Sequence, residues 1–356
     1  MSNTLTQREL ADRIGVTPVL VSRALSGHPS VAARTRERIE AAAREFGYRA
    51  DSNIEARVMS ARRHGKRVHT DIIAVLMPNY SFAGMALSRL PFFATFIDGI
   101  EEAAARLEID VHLCTVREGR MSRLVERNGV DGVICLGGFD YFNEIPLPTV
   151  NFGGAGQWAM GVYPDNREGA RLATSHLIEL GHRRIAYLAY AVNNDPANYY
   201  SVTLDRIDGY RRALGEAGIA VEEHRIGGFA GHPTIEAGAE AMSRLLQTSG
   251  GDFTAVVCFN DVLAMGAVQA LRAVGHRTPE DVSVVGFDDV TEQYPFEPKL
   301  TSIAFDRYAM GMRAVHMVHA ARAATEDGSP LPKYDEIFSV KLVARHSSAR
   351  PPLETK

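Results

Sequence analysis

Arg23 stands directly after Ser22 and one helical stretch beyond Thr17, an arrangement suited to specific chemistry. A guanidinium held at a fixed height can donate two parallel hydrogen bonds to O6 and N7 of a guanine. Pro18 and Val19 offer only apolar contact, of the kind a thymine methyl accepts. The hydroxyls of Thr17, Ser22 and Thr35, with Arg34 and Arg36, suit phosphate oxygens, which fix register without reading sequence. Groups in catalytic spacing do not appear beside these. Gly153-Gly154-Ala155-Gly156 lacks the spacing of a dinucleotide fingerprint, there is no phosphate-binding loop motif, and no His/Cys cluster has metal-ligand spacing. His182, His316 and His319 read as structural or solvent-facing. The expectation is a protein that is not an enzyme and needs no cofactor or metal.

The elements that must position Arg23 are legible around it. Thr6 with Glu9 three residues later has capping-box spacing, and Leu10, Ala11 and Ile14 then share a helical face closed by Gly15. Thr17 caps a second helix with Pro18 at its first position, and Val21, Ala24 and Leu25 point inward. A third amphipathic helix, about 33 to 46, supplies Ile39, Ala42, Ala43 and Phe46 to a miniature core. Two short helices joined by a Gly-Val-Thr turn are the pattern of a helix-turn-helix, whose second helix presents its N-terminal residues to the major groove. Charge agrees: the chain carries −4 overall, yet basic residues outnumber acidic ones in the first 67 positions and are outnumbered after them. A basic module joined to an acidic body suits a polyanion partner.

Gly15-Val16-Thr17-Pro18-Val19-Leu20-Val21-Ser22-Arg23-Ala24-Leu25, then Thr35-Arg36-Glu37-Arg38-Ile39 and Phe46-Gly47-Tyr48, resemble the N-terminus of the lactose/galactose repressor (LacI/GalR) family. The order and spacing of the three blocks make the match specific. Many relatives carry polar residues where Pro18 and Val19 stand, so the base preference there is expected to differ. In that family the segment after Tyr48 is a hinge that folds on the operator and pushes a leucine into the minor groove. Arg57 occupies the wedge position here, and Ala50 replaces the common proline. Either Val58 or Met59 acts as the wedge, or Arg57 enters the groove electrostatically. Arg62 to Arg67 read as a linker touching phosphates.

From Asp71 onward apolar runs of strand length alternate with helical patterns. The strands read 72–77, 110–116, 132–136, 149–152, 184–190, 255–259 and 282–287, with helices among 92–107, 167–180, 204–217, 235–246 and 262–274. Such alternation indicates doubly wound parallel sheets, and about 290 residues exceed one comfortable core, so two lobes with a cleft between them follow. Asp165-Asn166-Arg167-Glu168-Gly169-Ala170, Arg206-Ile207-Asp208-Gly209-Tyr210, Phe259-Asn260-Asp261 and Val284-Val285-Gly286-Phe287-Asp288-Asp289 extend the resemblance to nearly the whole chain and to the periplasmic sugar-binding proteins. It implies that Asp288, Asn260 and Arg206 line an effector cleft, where planar carboxylate, amide and guanidinium groups bond neighbouring sugar hydroxyls. Helix or loop capping is the competing role for Asp288 and Asn260. Asp165 reads as structural, at the passage from one lobe to the other. Met77, Asn79, Tyr80 and Phe82 after the first strand, Phe305 and Arg307 in a crossover, and Trp158 in a glycine-rich loop complete the candidate lining; Trp158 either stacks on a sugar ring or packs its loop.

The domain expectation is an all-α helix-turn-helix domain over 1–50, a hinge and linker over 51–67, an α/β sensor of two periplasmic-binding-protein-like lobes over 68–348, and a tail over 349–356. The tail lacks the heptads that would tie dimers into tetramers, so a homodimer on pseudo-palindromic operator DNA is expected. Cys114, Cys135 and Cys258 are odd in number and set in apolar runs, which suits buried, reduced thiols. The polar start of the chain, without a signal-peptide core, and the lack of an apolar span point to a cytoplasmic location away from membranes.

Overall fold

The computed structural model describes residues 5, 7–25, 28, 30–46, 48, 69–77, 91–115, 122–127, 129–136, 145, 147–152, 160–190, 201–229, 233–290, 295–327 and 329–352. Two compact units emerge, Met1–Thr70 and Asp71–Lys356.

The first unit is three helices, α1 (Gln7–Ile14), α2 (Pro18–Leu25) and α3 (Ala33–Glu45). Leu10, Ala11, Val21, Ala24, Val31, Ile39 and Ala43 bury together. Gly15 takes φ +68°, a conformation costly to any side chain with a Cβ, and lets Val16 N–H reach back to the Ala11 carbonyl at 3.0 Å. Thr17 caps α2 as the sequence implies, its Oγ1 accepting from Leu20 N–H at 3.2 Å. Phe46 departs from expectation. It ends α3 with its ring 38% exposed beneath the Arg13 guanidinium at 5.4 Å, and the core is closed by Val31, with Tyr48 packed against it. Thr6 lies outside the described residues.

The second unit holds two six-stranded sheets. In chain order its elements are β1 (Ile72–Met77), α4 (Pro91–Arg106), β2 (Asp110–Thr115), α5 (Arg123–Glu126), β3 (Gly132–Leu136), β4 (Thr149–Phe152), β5 (Met160–Pro164), α6 (Asn166–Glu179), β6 (Ile185–Tyr190), α7 (Ser201–Glu216), β7 (Ile226–Phe229), α8 (Ile235–Ser249), β8 (Ala255–Cys258), α9 (Asp261–Ala273), β9 (Ser283–Phe287), β10 (Thr301–Ala304), α10 (Arg307–Asp327), β11 (Tyr334–Phe338) and β12 (Lys341–Val343). Strand order is β11-β5-β4-β3-β1-β2 in one sheet and β12-β10-β9-β8-β6-β7 in the other. Every pairing is parallel except β10 with β12. The central strands are buried along their length, as a parallel sheet covered on both faces requires.

The chain passes between the sheets three times: through Asp165, through Phe305 and Asp306, and through Ser339 and Val340. Asp165 performs the structural role expected, its Oδ1 accepting from Glu168 N–H at 2.9 Å to cap α6. Cys135 and Cys258 are buried, and burial pushes both thiols well up. Cys114 is not buried as expected. It sits on β2, an edge strand, and is only partly covered. Among the described residues no helix is long and apolar enough to cross a membrane.

Candidate functional site

The strand ends of the second sheet converge on Arg206, in the second turn of α7. Its guanidinium is sandwiched between two rings, 3.6 Å from the Phe287 centroid and 4.6 Å from that of Phe259. Nε donates to Asn166 Oδ1 at 2.9 Å, Nη1 donates to the Phe259 carbonyl, and Nη2 lies 3.6 Å from Asp288 Oδ1. Arg206 is 5% exposed and Asp288 7% exposed. Burial opposes both charges: it lowers the guanidinium's pKa against the pull of Asp288, and it raises Asp288 to about 6 against the pull of Arg206 and Arg307.

Asp288 owes its position to a strained turn. It adopts φ +101° and Asp289 φ +52°, both unusual for residues with a side chain. The turn is held from several sides. Asp288 N–H donates to the Ile303 carbonyl at 2.8 Å, and Asp289 N–H to Ser302 Oγ at 3.1 Å. Arg345 Nη1 donates to Asp289 Oδ1 at 2.6 Å. Beneath it Asp261, fully buried, accepts from Ser302 Oγ at 2.6 Å and from Val290 N–H at 2.8 Å. Burial raises the Asp261 carboxyl to about 8. A Cβ on Gly286 would overlap Asp261 Oδ1, so the glycine keeps room for this strut. Among the described residues Asp288 Oδ1 is buried without a hydrogen bond, its charge facing Arg206 Nη2 at 3.6 Å, an acceptor at a strand end that can take a further donor.

Other candidates divide. Asn260 caps α9, its Oδ1 accepting from Leu263 N–H at 3.0 Å, so its carbonyl is occupied by structure. Phe305 lies between the two lobes, 6.0 Å from Phe287 of one and 6.3 Å from Phe92 of the other. Met77 ends β1 but is 3% exposed and packs into the first lobe's core, so it presents little surface. Asn79, Tyr80, Phe82 and Trp158 lie outside the described residues. Phe92, Phe259, Phe287 and Asp261 were not singled out individually in the sequence. The signal for the last three was their adjacency to Asn260 and Asp288, while Phe92 joins them only through folding.

On the helical unit Thr17, Pro18, Val19, Ser22 and Arg23 are all exposed, with Val19 at 60%. An apolar side chain that open suits a contact surface. Arg34 is exposed, and Thr35 is half-buried at the start of α3. Arg36 also serves structure, its Nη2 donating to the His28 carbonyl at 3.0 Å. Arg57, Val58 and Met59 are outside the described residues. Among the described residues no group of His, Cys, Asp and Glu could hold a metal.

Residues 6–51 match the family model "Bacterial regulatory proteins, lacI family", and residues 174–348 match that of a "Periplasmic binding protein-like domain". The HTH-type transcriptional repressor CytR of Escherichia coli (strain K12) is 32% identical over 87% of this chain and 87% of its own length. The HTH-type transcriptional regulator CelR of Thermobifida fusca is 32% identical over 85% of this chain and 88% of its own. The solved structure of a CelR–cellobiose complex superposes with a TM-score of 0.65 at 29% identity, covering 96% of this chain and 99% of the other. A helix-turn-helix unit followed by two mostly parallel sheets is thus similar to known regulators along most of their length, and the chain belongs to the lacI family of bacterial regulatory proteins.

Proposed function

We propose that this regulator is a cytoplasmic homodimer that binds a pseudo-palindromic operator and represses transcription until, or only while, a sugar-like effector occupies the cleft beside Asp288. The observation that supports the effector reading is the buried Asp288 Oδ1, which faces Arg206 at 3.6 Å but makes no hydrogen bond among the described residues. A neighbouring hydroxyl donor from a polyol satisfies that oxygen, and Phe305 offers an apolar wall to a ring face. The cellobiose in the similar CelR structure supports a saccharide in such a body. Arg23 reads one base pair of each half-site, Pro18 and Val19 add apolar contacts, and Thr17, Ser22, Arg34, Thr35 and Arg36 hold phosphates. The hinge at Arg57, Val58 and Met59 meets the minor groove. The domain boundaries at about 50, 67 and 348 follow from the same reading.

Genomic footprinting with the full-length protein tests the DNA half: protected sites should share one inverted repeat. Titrating that operator with a sugar panel tests the other half, because an effector must shift affinity for DNA and not merely bind. Protection without a common inverted repeat would remove the operator reading.

A further inference from the structure

Three guanidinium groups surround the strand-end site, and two have their acceptors within the chain. Arg206 is bonded to Asn166 and Phe259 and faces Asp288. Arg345 Nη1 donates to Asp289 Oδ1 at 2.6 Å and to the Leu300 carbonyl at 2.9 Å. Arg307 differs. Its Nη2 makes a long contact with the Asp289 carbonyl at 3.3 Å, while Nε and Nη1 are buried and have no hydrogen-bond partner among the described residues. Its flanks are the rings of Phe92 at 5.9 Å and Phe305 at 5.7 Å, which supply no acceptor oxygen. Of the nearby carboxylates, Asp289 is paired with Arg345, Asp306 Oδ1 accepts from Ala309 N–H at 2.8 Å, and Asp288 faces Arg206. Arg307 also acts on Asp288, so the two share one electrostatic neighbourhood.

Among the described residues, Arg206, Arg307 and Arg345 gather around Asp288 and Asp289, and the unpaired donors are those of Arg307. Leaving a buried charged donor without an acceptor is costly, and an anionic oxygen of a carboxylate or phosphate is the strongest acceptor for a guanidinium N–H.

We infer that the effector is an anionic sugar or polyol, whose carboxylate or phosphate group accepts from Arg307 Nη1 while its hydroxyls reach Asp288. This rests on the cleft being the effector site and specifies the ligand class it takes. A neutral sugar would fill the cleft yet leave Arg307 unpaired, so the acid should bind tighter by on the order of 10- to 100-fold.

Charge-matched ligands on the full-length protein decide it. Glucose is compared with glucuronate and glucose 6-phosphate, galactose with galacturonate and galactose 6-phosphate, and ribose with ribose 5-phosphate, by thermal shift and calorimetry. At least one acid should raise the unfolding transition and bind tenfold or more tighter than its neutral parent. Response to the uronates alone identifies a carboxylate, and response to the phosphates alone a phosphate. Arg307→Gln should erase the preference for the acid, and Arg307→Lys should keep part of it. The ligand-free melting temperature of Arg307→Gln should equal or exceed that of the wild type, since the substitution removes an unsatisfied buried charge. Preference for a neutral sugar, silence from every acid, or an acid preference unchanged in Arg307→Gln would overturn the inference. Release of operator DNA by a neutral sugar would overturn it while leaving the regulator reading intact, whereas failure to bind any operator would remove that reading instead.

Discussion

Asp288 combines a positive φ of 101°, burial and an oxygen without a hydrogen bond among the described residues, three costs that a functional position is expected to retain. Asp288→Ala should therefore abolish the effector's influence on operator binding and leave ligand-free DNA affinity nearly unchanged, read by operator titration with and without effector. Arg206 behaves differently, because it is bonded to three elements of its lobe and removing it strands Asp288 as a buried charge. Arg206→Met should lower stability by roughly 3–5 kcal/mol in urea denaturation. A variant as stable as the wild type would show the pair to be dispensable for folding. The two buried carboxyls also give stability a pH signature. Their folded pKa values, about 6 for Asp288 and about 8 for Asp261, exceed the ordinary 3.8, so their contribution is complete below that value and is lost as pH rises through 6 and then 8. Asp261→Asn can keep both hydrogen bonds with its amide nitrogen toward Ser302, and should flatten the fall in melting temperature between about pH 6 and 8. His176 and His182, held below 6.5 by burial, act in the opposite direction on the acid side and are common to both proteins.

At the scale of elements, three helix pairs meet backbone to backbone at glycines. A Cβ on Gly311 of α10 would overlap the Phe96 carbonyl of α4, one on Gly209 of α7 the Arg167 carbonyl of α6, and one on Gly266 of α9 the Ile235 carbonyl of α8. Gly311→Ala should cost about 1–3 kcal/mol, measured by denaturant unfolding, because the neighbour at the contact is main chain rather than a yielding side chain. For α2, whose outer residues are open to solvent, Arg23→Ala should weaken specific DNA by about 1–3 kcal/mol and relax one symmetric base position. Equal loss on random DNA would make Arg23 a phosphate contact. Much of this architecture is readable from residue order: the buried central strands are apolar runs, and Thr17, Asp165 and Asn260 announce the helices they cap. Ile226–Phe229 and Tyr334–Phe338 were not visible as strands, because one carries two glycines and the other is a polar, half-exposed edge. Phe46 misled because amphipathic spacing cannot tell a core position from a surface ring under Arg13. Asp288 was legible as a strand end, whereas the aromatic cage around Arg206 joins residues from separate elements and exists only after folding.

Over the whole molecule, Arg23 can read a palindrome only if two copies act together. Light scattering at micromolar concentration should give a mass near twice the chain's 38.9 kDa. A monomer would leave the inverted repeat unexplained. The three passages between the sheets bear on how the protein is made. The first lobe is not finished when its first five strands exist, since α10 and β11, which complete its core and its sheet edge, come after all of the second lobe except β12 and the segment that follows it. A nascent chain therefore holds an incomplete sheet while some 140 further residues are synthesised, long enough for an exposed edge to meet chaperones or another chain. The helical unit, contiguous in sequence, faces no such delay. A message truncated before Arg307 would yield a DNA-binding module attached to a sensor unable to close its own core, so ribosome-bound intermediates of increasing length should gain protease resistance first in the helical unit and in the sensor only once β12 and the residues up to 349 have emerged.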